Sequence, residues 1–527
     1  MSEYSSQLGA ERPAGSAVRR YHETTNHLID TTRLGEQYAG SMDEALRPRL
    51  YKLYPTLSPI PLPQDLQPST TQALDAIADA TGAGAPGEQI PDLSTLARLL
   101  LLTDGVIRRV NRGGREVEFR AAPCTGALYH EEIYLVCGDL PGLPAGVYHY
   151  GVHDHALRRL RDGDYRAHLV EASGGEPALV HAPAILVTTS VFWRNAWKYL
   201  NRAYRHTYWD TGTMLPNTLA AAATAGLPAR LVLAFADELV ATLLGVDLDQ
   251  EGVISLVALG RTTNEPPPAP PIDALALPTE PYSVRELDLP LIRETHRATL
   301  LRTGEAAAQW RSIDSDTESS PAPASSLIAL PAPGPMSLPR DPFEDLIRRR
   351  RSTRRFSHEP VTQDQLSTLL DRTTRGVPSD SLGPEGIPFN TAYLIVNAVE
   401  GLTPGAYVYH REAHALELLH SLTEDETRER SSALALGQDA GGDAAVNIYF
   451  LSDLDLLLER YGDRGYRLAH LGGALVAGKL YVIAYALGLG STGLTFFDDA
   501  VIDFFAPHAA GKSVMFLVAI GVPRRKT

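Results

Sequence analysis

The chain is poor in cysteine. It has two in 527 residues, Cys124 and Cys137. Two cysteines cannot build a disulfide framework, and no Cys/His spacing matches a zinc motif, so no metal site is expected. This usage fits a reducing compartment, and a cytoplasmic location is expected. Basic excess is also missing: the formal net charge is −15. Nucleic-acid binding needs a cationic surface to neutralise phosphates, so that class is set aside. No uninterrupted apolar run is long enough to span a bilayer. The longest candidate, Leu468–Leu489, is broken by Gly472, Gly473, Gly478 and Lys479 and reads as a buried core helix. The first residues, MSEYSSQLGAERPAGS, lack the apolar centre of a signal peptide. No membrane role is expected.

What remains is an ordinary globular composition, 44% hydrophobic and 21% charged, at a length that calls for more than one domain. Composition divides it into an N-terminal extension (1–69), a first block (70–261), a Pro-rich linker (262–340) and a second block (341–527). The linker contains EPPPAPP at Glu265–Pro271, which neither a helix nor a central strand tolerates, because proline lacks the donor. A short helix is expected within it, around Leu291–Arg302.

The two blocks repeat each other at a nearly constant offset of 259 to 262 residues. Gly146-Val-Tyr148-His-Tyr150 returns as Gly405-Ala-Tyr407-Val-Tyr409. Tyr199-Leu-Asn-Arg202-Ala-Tyr204-Arg205 returns as Tyr461-Gly-Asp-Arg464-Gly-Tyr466-Arg467. Phe235-Ala-Asp237 pairs with Phe497-Asp-Asp499, and Leu256–Gly260 with Leu517–Gly521. This is a tandem duplication. Within each copy, short β-branched runs such as Glu131–Cys137 and Ala184–Ser190 read as strands. Met214–Ala225 and Leu468–Leu487 read as core helices. Each half ends on an apolar strand, Val253–Leu259 and Val514–Ile520. The fold class is α+β.

The strongest chemical signal is Arg348-Arg-Arg350-Arg351-Ser352-Thr-Arg354-Arg355-Phe356, upstream of an expected helix at Thr362–Arg372. Arginine forks and a serine hydroxyl suit a phosphate. Gly488-Leu-Gly490-Ser491-Thr492-Gly493 has the form G-x-G-x-x-G, but it follows a helix instead of a strand, so it is not a dinucleotide fingerprint. Gly511-Lys512-Ser513 resembles the end of a phosphate-binding loop, but Ala506 stands where the first glycine must be. Arg524-Arg525-Lys526 forms a basic tail after the last strand.

The Arg/Ser element resembles the R-x-S-x-R/K element of nitroreductase-fold flavoproteins, with Arg350, Ser352 and Arg354 at its three positions. The resemblance extends to SagB-type dehydrogenases of that superfamily. It is carried by Tyr21-His22-Glu23-Thr24, Arg120–Tyr129, Lys198-Tyr199 and Arg202-Ala-Tyr204-Arg205. Such enzymes use FMN to oxidise thiazolines and oxazolines to azoles in ribosomally made peptides. The resemblance therefore implies a flavin held by Arg350, Ser352, Arg354, Ser491, Thr492, Gly493 and Arg525. A loop from the first half, Pro123, Cys124, Thr125 and Gly126, covers it. Lys198 and Tyr199 become the catalytic pair, with the Tyr199 phenolate favoured by the adjacent ammonium. Two departures stand out: Cys124 where serine is commoner, and Arg460-Tyr461 in place of Lys-Tyr in the second half.

Nitroreductase-fold enzymes pair two subunits around their flavins. Here the two domains are expected to pair within one chain as a pseudo-dimer with one complete site. The mirror site, using Pro378-Ser379 and Arg460-Tyr461, lacks its phosphate anchor. The expected partners are an azoline-containing precursor peptide and a cyclodehydratase complex, with further pairing into a homodimer left open. Two alternatives stay open: an NAD(P)H-dependent nitro or quinone reductase, and a flavin-free scaffold that binds a peptide or partner.

Overall fold

In each half a run of strands is buried over its whole length, as every residue of Glu131–Cys137 and of Val446–Ser452 is. Strands covered on both faces run apolar through their middles, which is why these segments do not alternate, and the polar residues near their ends (Glu131, Glu132, Asn447, Ser452) are buried too. The computed structural model describes residues 16–29, 42–64, 69, 71–78, 87–275, 277–313, 323, 325–332, 340–383, 386 and 389–524. Arg525 lies outside the described residues.

Each half holds a seven-stranded antiparallel sheet. In the first, the order across the sheet is Ile60–Pro61, Ala156–Asp162, Gly146–Gly151, Glu131–Cys137, Ala184–Val191, Glu251–Leu259 and Ala229–Val232. In the second it is Leu327–Ala329, Ala415–Ser421, Gly405–His410, Thr391–Val396, Val446–Ser452, Ser513–Gly521 and Gly490–Gly493. The connectivity is identical, and so is the register: Leu135 faces Tyr148 as Leu394 faces Tyr407. Even the bulges coincide, at Val147/Tyr148 and Ala406/Tyr407.

One edge strand of each sheet comes from the segments expected to be extension and linker. Ile60–Pro61 pairs with Ala156 and Leu157, and Leu327–Ala329 pairs with Ala415–Glu417. Proline is tolerated at a sheet edge, so its presence at Pro61 marks an edge strand. The 262–340 segment also carries two helices, Pro290–Ala298 and Gly304–Arg311. These described parts belong to the folded body, where sequence reading expected a linker with one short helix.

Two 22-residue helices, Ala203–Thr224 and Gly465–Ala486, cross at the centre. A β-carbon on Gly212 would overlap that of Ala474, and one on Gly478 would lie 2.8 Å from the Thr213 carbonyl and 2.9 Å from Pro216. Glycine at these two positions sets the close approach of the helices. Leu454–Ala486 is the single stretch among the described residues long and apolar enough to cross a membrane, and 94% of its most apolar window is buried in the protein.

The halves are also locked by reciprocal ion pairs. Asp498 of the second half binds Arg202 (3.0 Å) and Arg205 (2.7 Å) of the first. Asp237 of the first binds Arg464 (2.6 Å) and Arg467 (2.7 Å) of the second. The structural partner of Asp237 is thus Asp498, one residue before the Asp499 expected from sequence. The helices Ser16–Thr24 and Pro290–Ala298 complete the symmetry. Arg205 reaches Thr25 Oγ1 as Arg467 reaches Thr299 Oγ1, both in an H-x-x-T sequence (His22–Thr25 and His296–Thr299).

Candidate active site

Where the two halves meet, a cavity of about 290 Å3 opens. Its walls come from both. The first half contributes Pro123–Gly126, Lys198, Tyr199 and Asp210; the second contributes Ser352, Arg354, Tyr481, Thr492 and Gly493. Of the residues singled out from sequence, ten line one cavity. Arg350 and Ser491 stand behind its wall.

Lys198 and Tyr199 end the helix Phe192–Tyr199, which Leu200 terminates with a φ of 48°. The Tyr199 ring meets His206 edge-on at 4.6 Å. Its hydroxyl lies against Gly126, where an added β-carbon would stand 2.9 Å from it. Gly126 also has a φ of 68°, so glycine is required there twice over. Lys198 is half-buried and extends over the Tyr199 ring, 5.2 Å from its centroid. Burial, then the neighbouring cations Arg354 and Arg47, push its amine below the usual lysine range.

The Pro123–Gly126 loop is fastened by Asp210, which sequence reasoning did not single out. Its carboxylate accepts from Thr125 N (2.9 Å), Thr125 Oγ1 (2.8 Å) and Cys124 Sγ (3.3 Å). The Cys124 thiol sits where a serine hydroxyl was expected and takes the same donor role. Burial and then Asp210 push it well above the ordinary thiol range, so it is no nucleophile. A comparison of the halves would have found Asp210: the repeat offset puts Gly472 at the matching position.

On the opposite wall, Ser352 pairs in parallel with Ser491, and Thr353 N donates to the Ser491 carbonyl at 2.9 Å. The Gly490–Gly493 segment is an edge strand. Gly490 is needed because a side chain there would overlap Thr353. Arg350 is buried and donates to the Ala121 carbonyl through Nε (3.2 Å) and Nη2 (2.9 Å), joining the two halves. Its Nη1 and the Ser491 Oγ are buried without a hydrogen-bond partner. No hydrogen bond or ion pair holds Arg354 among the described residues. Arg354, the remaining Nη1 of Arg350 and the buried Ser491 hydroxyl offer donors for an anion, as a flavin phosphate requires. The residues present therefore fit FMN.

The mirror site is closed. Leu231, the counterpart of Gly493, donates to the Pro378 carbonyl at 2.8 Å and accepts from Asp380 N at 3.1 Å. The Asp380 carboxylate then takes Leu233 N (2.9 Å) and Ala234 N (3.1 Å). Trp310 packs on Tyr461 and donates to its carbonyl at 2.9 Å. A cavity of about 240 Å3 remains beside this seal. Its arginines are engaged, Arg230 with Glu176 and Arg311 with Glu176 and the Ser173 carbonyl.

Residues 71–261 and 347–522 both match the Nitroreductase family. That is well over half the chain, which belongs to this family. The crystal structure of a protein assigned to the nitroreductases, from Anabaena variabilis, superposes along almost the whole length. The TM-score is 0.74 with 29% identity, covering 97% of this chain and 100% of the other. Two shorter similarities concern peptide-processing proteins. The trifolitoxin-processing protein TfxB of Rhizobium leguminosarum bv. trifolii is 31% identical over 150 residues, 28% of this chain and 40% of that protein. The microcin B17-processing protein McbC of Escherichia coli is 31% identical over 143 residues, 26% of this chain and 52% of that protein. The matches span about half the length of these two relatives or less. The chain is thus a tandem nitroreductase-fold protein similar to SagB-type enzymes.

Proposed function

We propose that this protein is a cytoplasmic, FMN-dependent dehydrogenase that oxidises thiazoline or oxazoline rings in a ribosomally made peptide. The observation that carries the proposal is one cavity lined by Lys198 and Tyr199 from the first half and by Ser352 and Arg354 from the second, with the Nη1 of Arg350 buried and unpartnered. The similarity to two peptide-processing proteins supports a peptide substrate, delivered with a cyclodehydratase.

FMN, when bound, supplies a two-electron acceptor for the hydride leaving the ring Cβ. The chain's residues do the rest. Aromatising an azoline also removes a proton from Cα, and the lowered amine of Lys198 is suited to take it. This shifts the base role from Tyr199, favoured by sequence, to Lys198. Tyr199, held between His206 and Gly126, orients the ring. Asp210 fixes the loop that closes the cavity, and Arg350 ties that loop's approach at Ala121 to the phosphate element.

The test is an azoline-containing peptide incubated with the purified protein, read by the loss of two mass units per ring. Azole formation abolished in Lys198→Ala would support the proposal. Rapid flavin bleaching by NAD(P)H with no azole formed would replace it with a reductase. Protein that cannot be loaded with FMN would leave a peptide-binding scaffold.

A further inference from the structure

The two halves act as each other's control: residues the fold requires recur in both, and residues present beside the open cavity alone answer to something else. Four residues converge at the Pro123–Gly126 loop, and three of them, His130, Glu131 and Asp210, have no counterpart of like chemistry in the second half. Cys124 Sγ, His130, Glu131 and Asp210 bring one donor atom each to within 4.8 Å of one another. His130 Nε2 is 2.8 Å from Asp210 Oδ2 and 3.4 Å from Glu131 Oε1, and Cys124 Sγ is 3.3 Å from Asp210 Oδ2. By register and offset the second half has Phe389, Asn390 and Gly472 at positions 130, 131 and 210. There Asn390 binds Ser452 Oγ at 2.7 Å, where His130 binds Ser190 Oγ at 2.8 Å. A neutral amide therefore meets the structural need.

Charge points the same way. Glu131 is 3% exposed, and its Oε1 is buried at the cluster without a hydrogen-bond partner. Two carboxylates and a thiol share this space with no lysine or arginine among them. Buried carboxylates are stable when paired or bound to a metal. We propose that Cys124 Sγ, His130 Nε2, Glu131 Oε1 and Asp210 Oδ2 form a site for a divalent cation of the zinc class. A mixed thiolate, imidazole and carboxylate set selects zinc over calcium or magnesium, which take oxygen ligands. Outer contacts suit ligation too. Ser190 holds His130 Nδ1, Tyr129 N donates to Cys124 Sγ at 3.1 Å, and Thr125 Oγ1 donates to the other Asp210 oxygen. Cys124 and Asp210 line the cavity, which gives the ion an entry path.

The experiment uses the full chain as purified. Zinc is quantified by mass spectrometry beside flavin, then removed by chelation, and the protein is titrated with Zn2+ and Co2+. About one zinc per chain is expected, with a near-ultraviolet thiolate–cobalt band that disappears in Cys124→Ser. Glu131→Gln, close in shape, should weaken Zn2+ binding by about tenfold or more. Folded wild-type protein with no bound zinc and no cobalt band would overturn the site and leave the donors sharing protons. So would equal Zn2+ affinity in Glu131→Gln. Flavin content is read separately, so either result leaves the proposed activity to its own test.

Discussion

Lys198 is a base only if its amine is neutral at the working pH, and the structure shows what pushes it in that direction. Burial and two guanidiniums destabilise the ammonium, the lowering expected of a desolvated lysine near like charge. Activity should therefore rise with pH along a limb below the normal lysine range. Arg47 is about half exposed and outside the cavity wall, so Arg47→Ala removes one repelling cation without touching the site. The ammonium then becomes more stable, and the limb of kcat against pH should move to higher pH. An unmoved limb would mean that another group titrates. Lys198→Ala should lower kcat by about 100-fold or more, the usual contribution of a positioned base. Gly126→Ala makes a different prediction. It forces φ > 0 on alanine and displaces the Tyr199 hydroxyl, so kcat should fall while flavin content stays near that of the wild type. These roles were legible because Lys198-Tyr199 and the Arg/Ser element are short contiguous motifs. Asp210, His130 and Glu131 were not, because each is ordinary in its own neighbourhood and gains meaning only where a strand end and a long helix meet.

At the scale of elements, sequence located the central helices but began the first about three turns late. Met214 was the expected start, whereas the helix runs from Ala203. Its first turns carry Arg205, His206 and Asp210, which look solvent-facing in sequence, yet all are buried: Arg205 against Asp498 of the other half, His206 and Asp210 against Asn195 and Thr125 of their own. The proline-rich stretches misled in the opposite direction, reading as linker where they supply edge strands. The reciprocal ion pairs carry a prediction about acid. Burial alone would raise the Asp498 carboxyl, but Arg202 and Arg205 outweigh it, and the group sits below the usual aspartate range. Its contribution is therefore complete above the unfolded value and is lost as pH falls through the folded one. Asp498→Ala leaves two buried arginines uncompensated, a loss of about 3–5 kcal/mol by the usual cost of breaking such a pair. Denaturant unfolding at pH 7 measures it. As pH falls through the folded value the difference between variant and wild type should shrink, since protonation removes the same charge.

For the whole molecule, duplication within one chain has freed the two sites to diverge. A symmetric dimer of identical subunits must keep both sites or lose both. Here the second half alone carries the Arg350/Ser352/Arg354 element, while the first half alone carries the Lys198-Tyr199 pair and Asp210. The mirror site has been spent on cohesion: Asp380 and the Pro378 carbonyl bind the strand that ends at Val232 and the residues after it, sealing the halves together. Flavin released by denaturation should therefore amount to about one FMN per chain. Arg350→Ala should lower that content strongly, because it removes a buried donor aimed at the anion and the Ala121 contact that joins the halves. Asp380→Ala separates the two explanations for an empty mirror site. If backbone pairing alone kept flavin out, the variant would take up a second equivalent. The engaged arginines of that cavity and its lack of a phosphate element predict that it stays at one while losing stability. A second equivalent in the wild-type chain would show that the mirror cavity opens to admit flavin, and the single-site account would fall.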